Sequence, residues 1–153
     1  MIAPLLLALS LGFQATQQET PAPPAPIARV ATVGASATDG FGIFVVRQTP
    51  IGRIPTGWSL AKSLRAASQN TVIVSDLGTS MFFLAPAKTG SRLLSRALRA
   101  DVDLIVAIDF LFWFAYGNTA ADGKIMRTGN ERAAMIERGL NILDLYDGPL
   151  VIG

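Results

Sequence analysis

The chain predicts an α/β fold, a doubly wound parallel sheet with helices on both faces. Three observations point to it. Four short runs rich in Val and Ile recur along the 153 residues. Stretches with helical spacing of apolar residues separate them, and Gly, Asn or Asp-Gly-Pro punctuation marks the joints. Strand, helix, strand, helix, strand, helix, strand in alternation is the pattern of a parallel sheet with crossover connections.

Each element has its own justification. The strand candidates are 28–33 (ARVATV), 71–75 (TVIVS), 103–108 (DLIVAI in its core) and 149–152 (PLVI). They are continuous apolar runs rather than in-out alternations, as strands covered on both faces require. Between the first two, 56–68 places Leu60, Ala61, Leu64 and Ala67 on one helical stripe with Lys62 and Arg65 off it. Between the next two, 89–100 turns Leu93, Leu94, Ala97 and Leu98 inward and Arg92, Arg96 and Arg99 outward, toward solvent. The third helix, 127–146, offers Asn130 as N-cap with Glu131 in its first turn, then Ile136, Leu140 and Leu143. It ends at Asp147-Gly148-Pro149. No helix follows the last strand to cover the sheet, so the expectation is a domain truncated after its fourth strand. Its open apolar surface then calls for a C-terminal remainder or a second subunit.

Residues 1–13 are apolar and carry no charged side chain, and 14–26 turn polar and then proline-rich. The expected organisation is a signal peptide or short apolar anchor at 1–15, a Pro-rich flexible linker at 16–27, and the α/β domain at 28–153. The location this implies is secreted or periplasmic. Thirteen residues are too few for a stable membrane span.

Composition excludes several functions. Thirteen Lys and Arg against eleven Asp and Glu leave a charge of +2, with no basic patch of the kind nucleic acids require. The absence of cysteine removes disulfides, thiolate nucleophiles and Cys-based zinc sites. The absence of histidine removes the usual general base, so no complete Ser-His-Asp site exists in these residues. Asp76, Asp109 and Asp122 show no regular metal-ligand spacing, and neither a Gly-x-Gly-x-x-Gly turn nor a P-loop lysine is present. No metal or cofactor is expected.

Chemistry in open parallel sheets gathers beyond the carboxyl ends of the strands. After the first strand comes Gly34-Ala35-Ser36-Ala37-Thr38-Asp39-Gly40, a small-residue turn with Ser36 at its apex. A serine placed there suits a nucleophile whose own amide helps build an oxyanion hole; its plainer reading is a glycine-rich turn. The second strand leads into Ser75-Asp76-Leu77-Gly78, and the third into Asp109 and the aromatic run from Phe110 to Tyr116. That run holds five of the twelve aromatic residues, and reads either as core packing or as an apolar wall for a bulky ester group.

At these residues the chain resembles the SGNH, or GDSL-like, serine ester hydrolases over about 28–153, in order and spacing. The family's Gly-Asp-Ser block corresponds to Gly34-Ala35-Ser36, with Ala35 in place of the Asp. The resemblance implies a flavodoxin-like doubly wound sheet in three α/β/α layers, with Ser36 as catalytic nucleophile. The oxyanion hole would use the amides of Ser36 and Gly78. Asp109 stands where the family has an Asn donor and could donate only when protonated; Asn118 is a second source of an amide. The resemblance also implies a substrate of lipid, acyl or carbohydrate esters, a small molecule or glycan ester bound beside Thr38, Asp39, Phe112 and Trp113. The family's Asp-x-x-His block has no counterpart. Two other readings use the same sheet edge: a non-catalytic domain binding a polar ligand or glycan, and a nucleotide-binding α/β domain.

Overall fold

A computed structural model describes residues 26–42, 44–116 and 128–153. The expected signal and most of the linker, Asn118 and Asp122 lie outside the described residues. Four parallel strands form one sheet: β1 (Arg29–Thr32), β4 (Ile73–Asp76), β5 (Leu104–Ala107) and β6 (Leu150–Ile152), in the order β4-β1-β5-β6. The four expected runs supply these strands; each starts one or two residues later than expected, and β4 runs on to Asp76, one residue past its expected end. The helices are α1 (Ser36–Asp39), α2 (Leu60–Ala67), α3 (Pro86–Arg99), α4 (Phe110–Tyr116) and α5 (Gly129–Leu143).

β1 is flanked on both sides, and Val30, Ala31 and Thr32 are all buried. Strand alternation sends its side chains, and those of β5, into two separate cores. Ala31, Ile105 and Ala107 join Leu93, Leu94, Phe110, Phe114 and Leu143 on the face covered by α3, α4 and α5. Val30 and Val106 meet Ala61 and Val74 on the opposite face, under α2. Each fully buried aliphatic side chain contributes about 1.5–3 kcal/mol, so the larger core supplies most of the stabilisation.

The aromatic run forms α4, and its two faces have different fates. Phe110 and Phe114, four residues apart, are fully buried with Phe82, whose ring centroid lies 5.1 Å from that of Phe110. Phe82 comes from a 3₁₀ turn (Phe82–Leu84). Gly90 of α3 and Gly139 of α5 make room for these rings. A methyl at Gly90 would stand 2.8 Å from Phe110 Cζ, and one at Gly139 would stand 3.0 Å from Phe114 Cγ. Small residues on both neighbouring helices therefore let the phenyl groups pack against backbone.

Several local expectations are corrected. α5 starts from Thr128, not Asn130: Glu131 N–H donates to Thr128 Oγ1 at 3.3 Å and Thr128 N–H donates back to Glu131 Oε2 at 2.7 Å. Leu98 and Leu140 are exposed because Ala97, Gly139 and Leu143 occupy the inward positions. Residues 56 and 57 end a strand instead of opening α2, whose N-cap is Ser59. That strand belongs to an additional antiparallel hairpin, β2 (Phe44–Thr49) and β3 (Gly52–Gly57), which pairs with no other strand among the described residues and is exposed along most of its length.

Among the described residues no helix is long and apolar enough to cross a membrane.

Candidate functional site

From β1 the chain passes to β4 on one side and later to β5 on the other. The strand order reverses at β1, the place beyond the carboxyl ends of β1, β4 and β5 where open parallel sheets take ligands. Three loops meet there: 33–36, 77–80 and 108–110.

Asp109 organises the first of them. Its Oδ1 accepts from Ala35 N–H at 2.8 Å and from Thr38 Oγ1 at 2.7 Å, and its Oδ2 accepts from Ala37 N–H at 2.7 Å. The carboxyl group is buried, so these three donors replace the water it leaves. Gly34 is required beside it, because a methyl there would overlap Asp109 Oδ1 and Thr38 Oγ1. Asp109 is thus an acceptor that holds the β1–α1 turn in shape. This is the opposite hydrogen-bonding role from the oxyanion donor expected at 109, and it explains why a carboxylate suits a position facing two backbone N–H groups.

The second loop docks on α1. Thr79 N–H donates to Gly34 O at 3.1 Å, Leu77 N–H to Thr32 O at 3.0 Å, and Ser80 N–H to Asp39 Oδ2 at 3.2 Å. Gly78 lies against Thr38 and Asp39: a methyl at Gly78 would stand 3.0 Å from the Asp39 amide nitrogen. At the end of β4, Asp76 accepts from Ser59 Oγ at 3.0 Å and from Thr32 Oγ1 at 3.4 Å, which ties the start of α2 to the sheet.

The geometry brings together Ser36, Thr38, Asp39, Gly78 and Asp109. Ser36 opens α1 and is partly exposed, and no side chain of a described residue hydrogen-bonds its hydroxyl. The N–H groups of Ser36 and Gly78 donate to no acceptor among the described residues, whereas those of Ala35, Ala37, Leu77 and Thr79 are all engaged. Thr38 and Asp39 serve the loops, through Asp109 and Ser80 respectively. Phe112 and Trp113 stand on α4, where their ring partners are each other, Tyr116 and Phe83. Phe112 is half exposed, and Trp113 packs on the larger core.

Sequence reasoning found Asp109 by its place after the third strand, but its partner loop lies more than 70 residues away. It missed Ser59 and Asp76 as a linked pair. The signal for Ser59 was available: a serine three residues before Lys62, whose N–H it accepts. Compared with known proteins, the chain matches no family model, no curated protein and no solved structure.

Proposed function

We propose that the Ser36 loop is the nucleophile block of an exported SGNH-type hydrolase acting on lipid, acyl or carbohydrate esters, built on a flavodoxin-like doubly wound sheet. One observation carries this reading. Ser36 is partly exposed beside a docked loop, and among the described residues its hydroxyl bonds no side chain and the amides of Ser36 and Gly78 find no acceptor, while their neighbours are engaged. Unspent, preorganised N–H groups are what a developing oxyanion uses.

In this reading Ser36 Oγ attacks the ester carbonyl, and its proton passes to a base supplied from outside the 153 residues, which contain no histidine. Asp109 acts as a positioning residue: by accepting from Ala35 and Ala37 it holds the turn on either side of Ser36. An aryl boronic acid tests the site without a base, because it adds to a serine oxygen as a tetrahedral anion and releases the proton to solvent. A tetrahedral ¹¹B resonance that disappears in Ser36→Ala is the expected result. The same signal in both proteins, or none in either, overturns the reading.

A second reading, a non-catalytic domain binding a polar ligand or glycan, is favoured by the acceptor role of Asp109, since no side-chain amide donor stands in its place. Retention on immobilised glycans without boronate addition at Ser36 would select it.

A further inference from the structure

The β2–β3 hairpin and the neighbouring α2 carry a feature unrelated to Ser36. Residues 41–75 contain Arg47, Arg53, Lys62 and Arg65 and no Asp or Glu. That is a charge of +4 within a chain whose total is +2, so everything else sums to −2.

The hairpin is two-faced. Paired residues share a face, so Phe44, Val46, Gln48, Arg53 and Pro55 stand on one side, and Val45, Arg47, Ile54 and Thr56 on the other. The first side is open, apolar at Phe44 and Val46 and cationic toward the tip at Arg53: Phe44 is 65% exposed and Val46 61%, and Ile51 at the tip is 88% exposed. The second side faces α2 across a groove of about 520 Å³, lined by Arg47, Trp58, Lys62 and Arg65 without any acidic residue. Lys62 Nζ already donates to Gly57 O, and Arg65 donates to Val74 O. A lysine has three donors and an arginine five, so both retain donors for a ligand. A lone two-stranded hairpin with apolar residues in water is marginal by itself and gains from a partner.

We propose that this hairpin and groove form a docking surface for an anionic phospholipid bilayer. Ile51, Phe44 and Val46 enter the interfacial layer, and Arg47, Lys62 and Arg65 meet lipid phosphates. Interfacial binding combines buried apolar area with attraction to anionic headgroups, and both are present on one projecting element. Charge also decides against a second copy as occupant, since hairpins meeting through the Phe44 face would bring two copies of Arg53 together, and hairpins meeting through the other face two copies of Arg47. The surface lies on the membrane without crossing it.

The chain has no cysteine, so Ile51→Cys provides a single attachment point for an environment-sensitive NBD fluorophore. Ser95→Cys, on exposed α3, serves as the control. With phosphatidylcholine vesicles containing phosphatidylserine, the label at 51 is expected to shift blue and brighten, and the label at 95 to stay unchanged. High salt should reverse the response. Adding Arg47→Gln, at an exposed position, should weaken vesicle binding about fivefold. The proposal is overturned if the label at 51 is silent, responds equally to vesicles of phosphatidylcholine alone, or shifts no more than the label at 95. A shift that grows with protein concentration without vesicles also overturns it, in favour of self-association.

Discussion

Asp109 Oδ1 lies 2.8 Å from the amide nitrogen of Ala35, a residue 74 positions earlier in the chain. This bond and its two companions join the end of β5 to the turn after β1, and they shape the loop that presents Ser36. An Asn at 109 offers one acceptor oxygen and turns an NH₂ donor toward a backbone N–H. Asp109→Asn should therefore lower stability by about 1–3 kcal/mol, the cost of stranding a buried donor. Gly34→Ala, which drives a methyl into the same carboxylate, should lower it as well. Urea midpoints measure both; wild-type stability in either variant would remove Asp109 from its role.

The aromatic cluster makes a second forecast. Phe114 is fully buried between two helices, and Phe114→Ala should cost about 3–5 kcal/mol. Gly90→Ala should cost about 1–3 kcal/mol through overpacking against Phe110. Thermal unfolding distinguishes this from a loosely packed aromatic run, in which the added methyl would be tolerated.

Hydrolysis by the chain alone should be negligible. Ser36 has no partner among the described residues to take its proton, and the sequence has no histidine. Turnover of a p-nitrophenyl ester should match that of Ser36→Ala. Rapid labelling of Ser36 by a fluorophosphonate would contradict this.

Stability should also respond to pH through the amino end of the sheet. The N–H groups of Ala28 and Arg29, at 2.9 and 2.8 Å, hold the Asp103 carboxyl below the usual carboxylate range, with the Arg29 charge assisting. A lowered folded value means stabilisation that is complete above the ordinary carboxylate value of about 4 and is lost as pH falls through the folded value. Burial, then the nearby Asp103 charge, raises the Tyr146 hydroxyl, which donates to Val102 O at 2.9 Å. Its contribution is complete below the ordinary tyrosine value of about 10 and is lost as pH rises through the raised one. Asp103→Asn should flatten the acid limb of a stability–pH curve, and Tyr146→Phe the alkaline limb; unchanged limbs would show that other groups control them.

The four strands, their parallel pairing and three helices are legible in the residue order, because burial on both faces demands unbroken apolar runs and helical packing demands its own period. Ser36, Gly78 and Asp109 are legible too, as polar or small residues placed just beyond those runs. The hairpin escapes such reading because it covers no core and so follows neither period strictly. Whether Asp109 gives or accepts hydrogen bonds was settled only by folding, which set two amides from a distant turn against its oxygens. Likewise, composition shows that residues 41–75 are cationic, but strand pairing alone sorts Arg47 onto one side of the hairpin and Phe44 and Val46 onto the other. Local periodicity depends on neighbours a few residues away; these roles depend on contacts across dozens, which exist only once the chain has closed on itself.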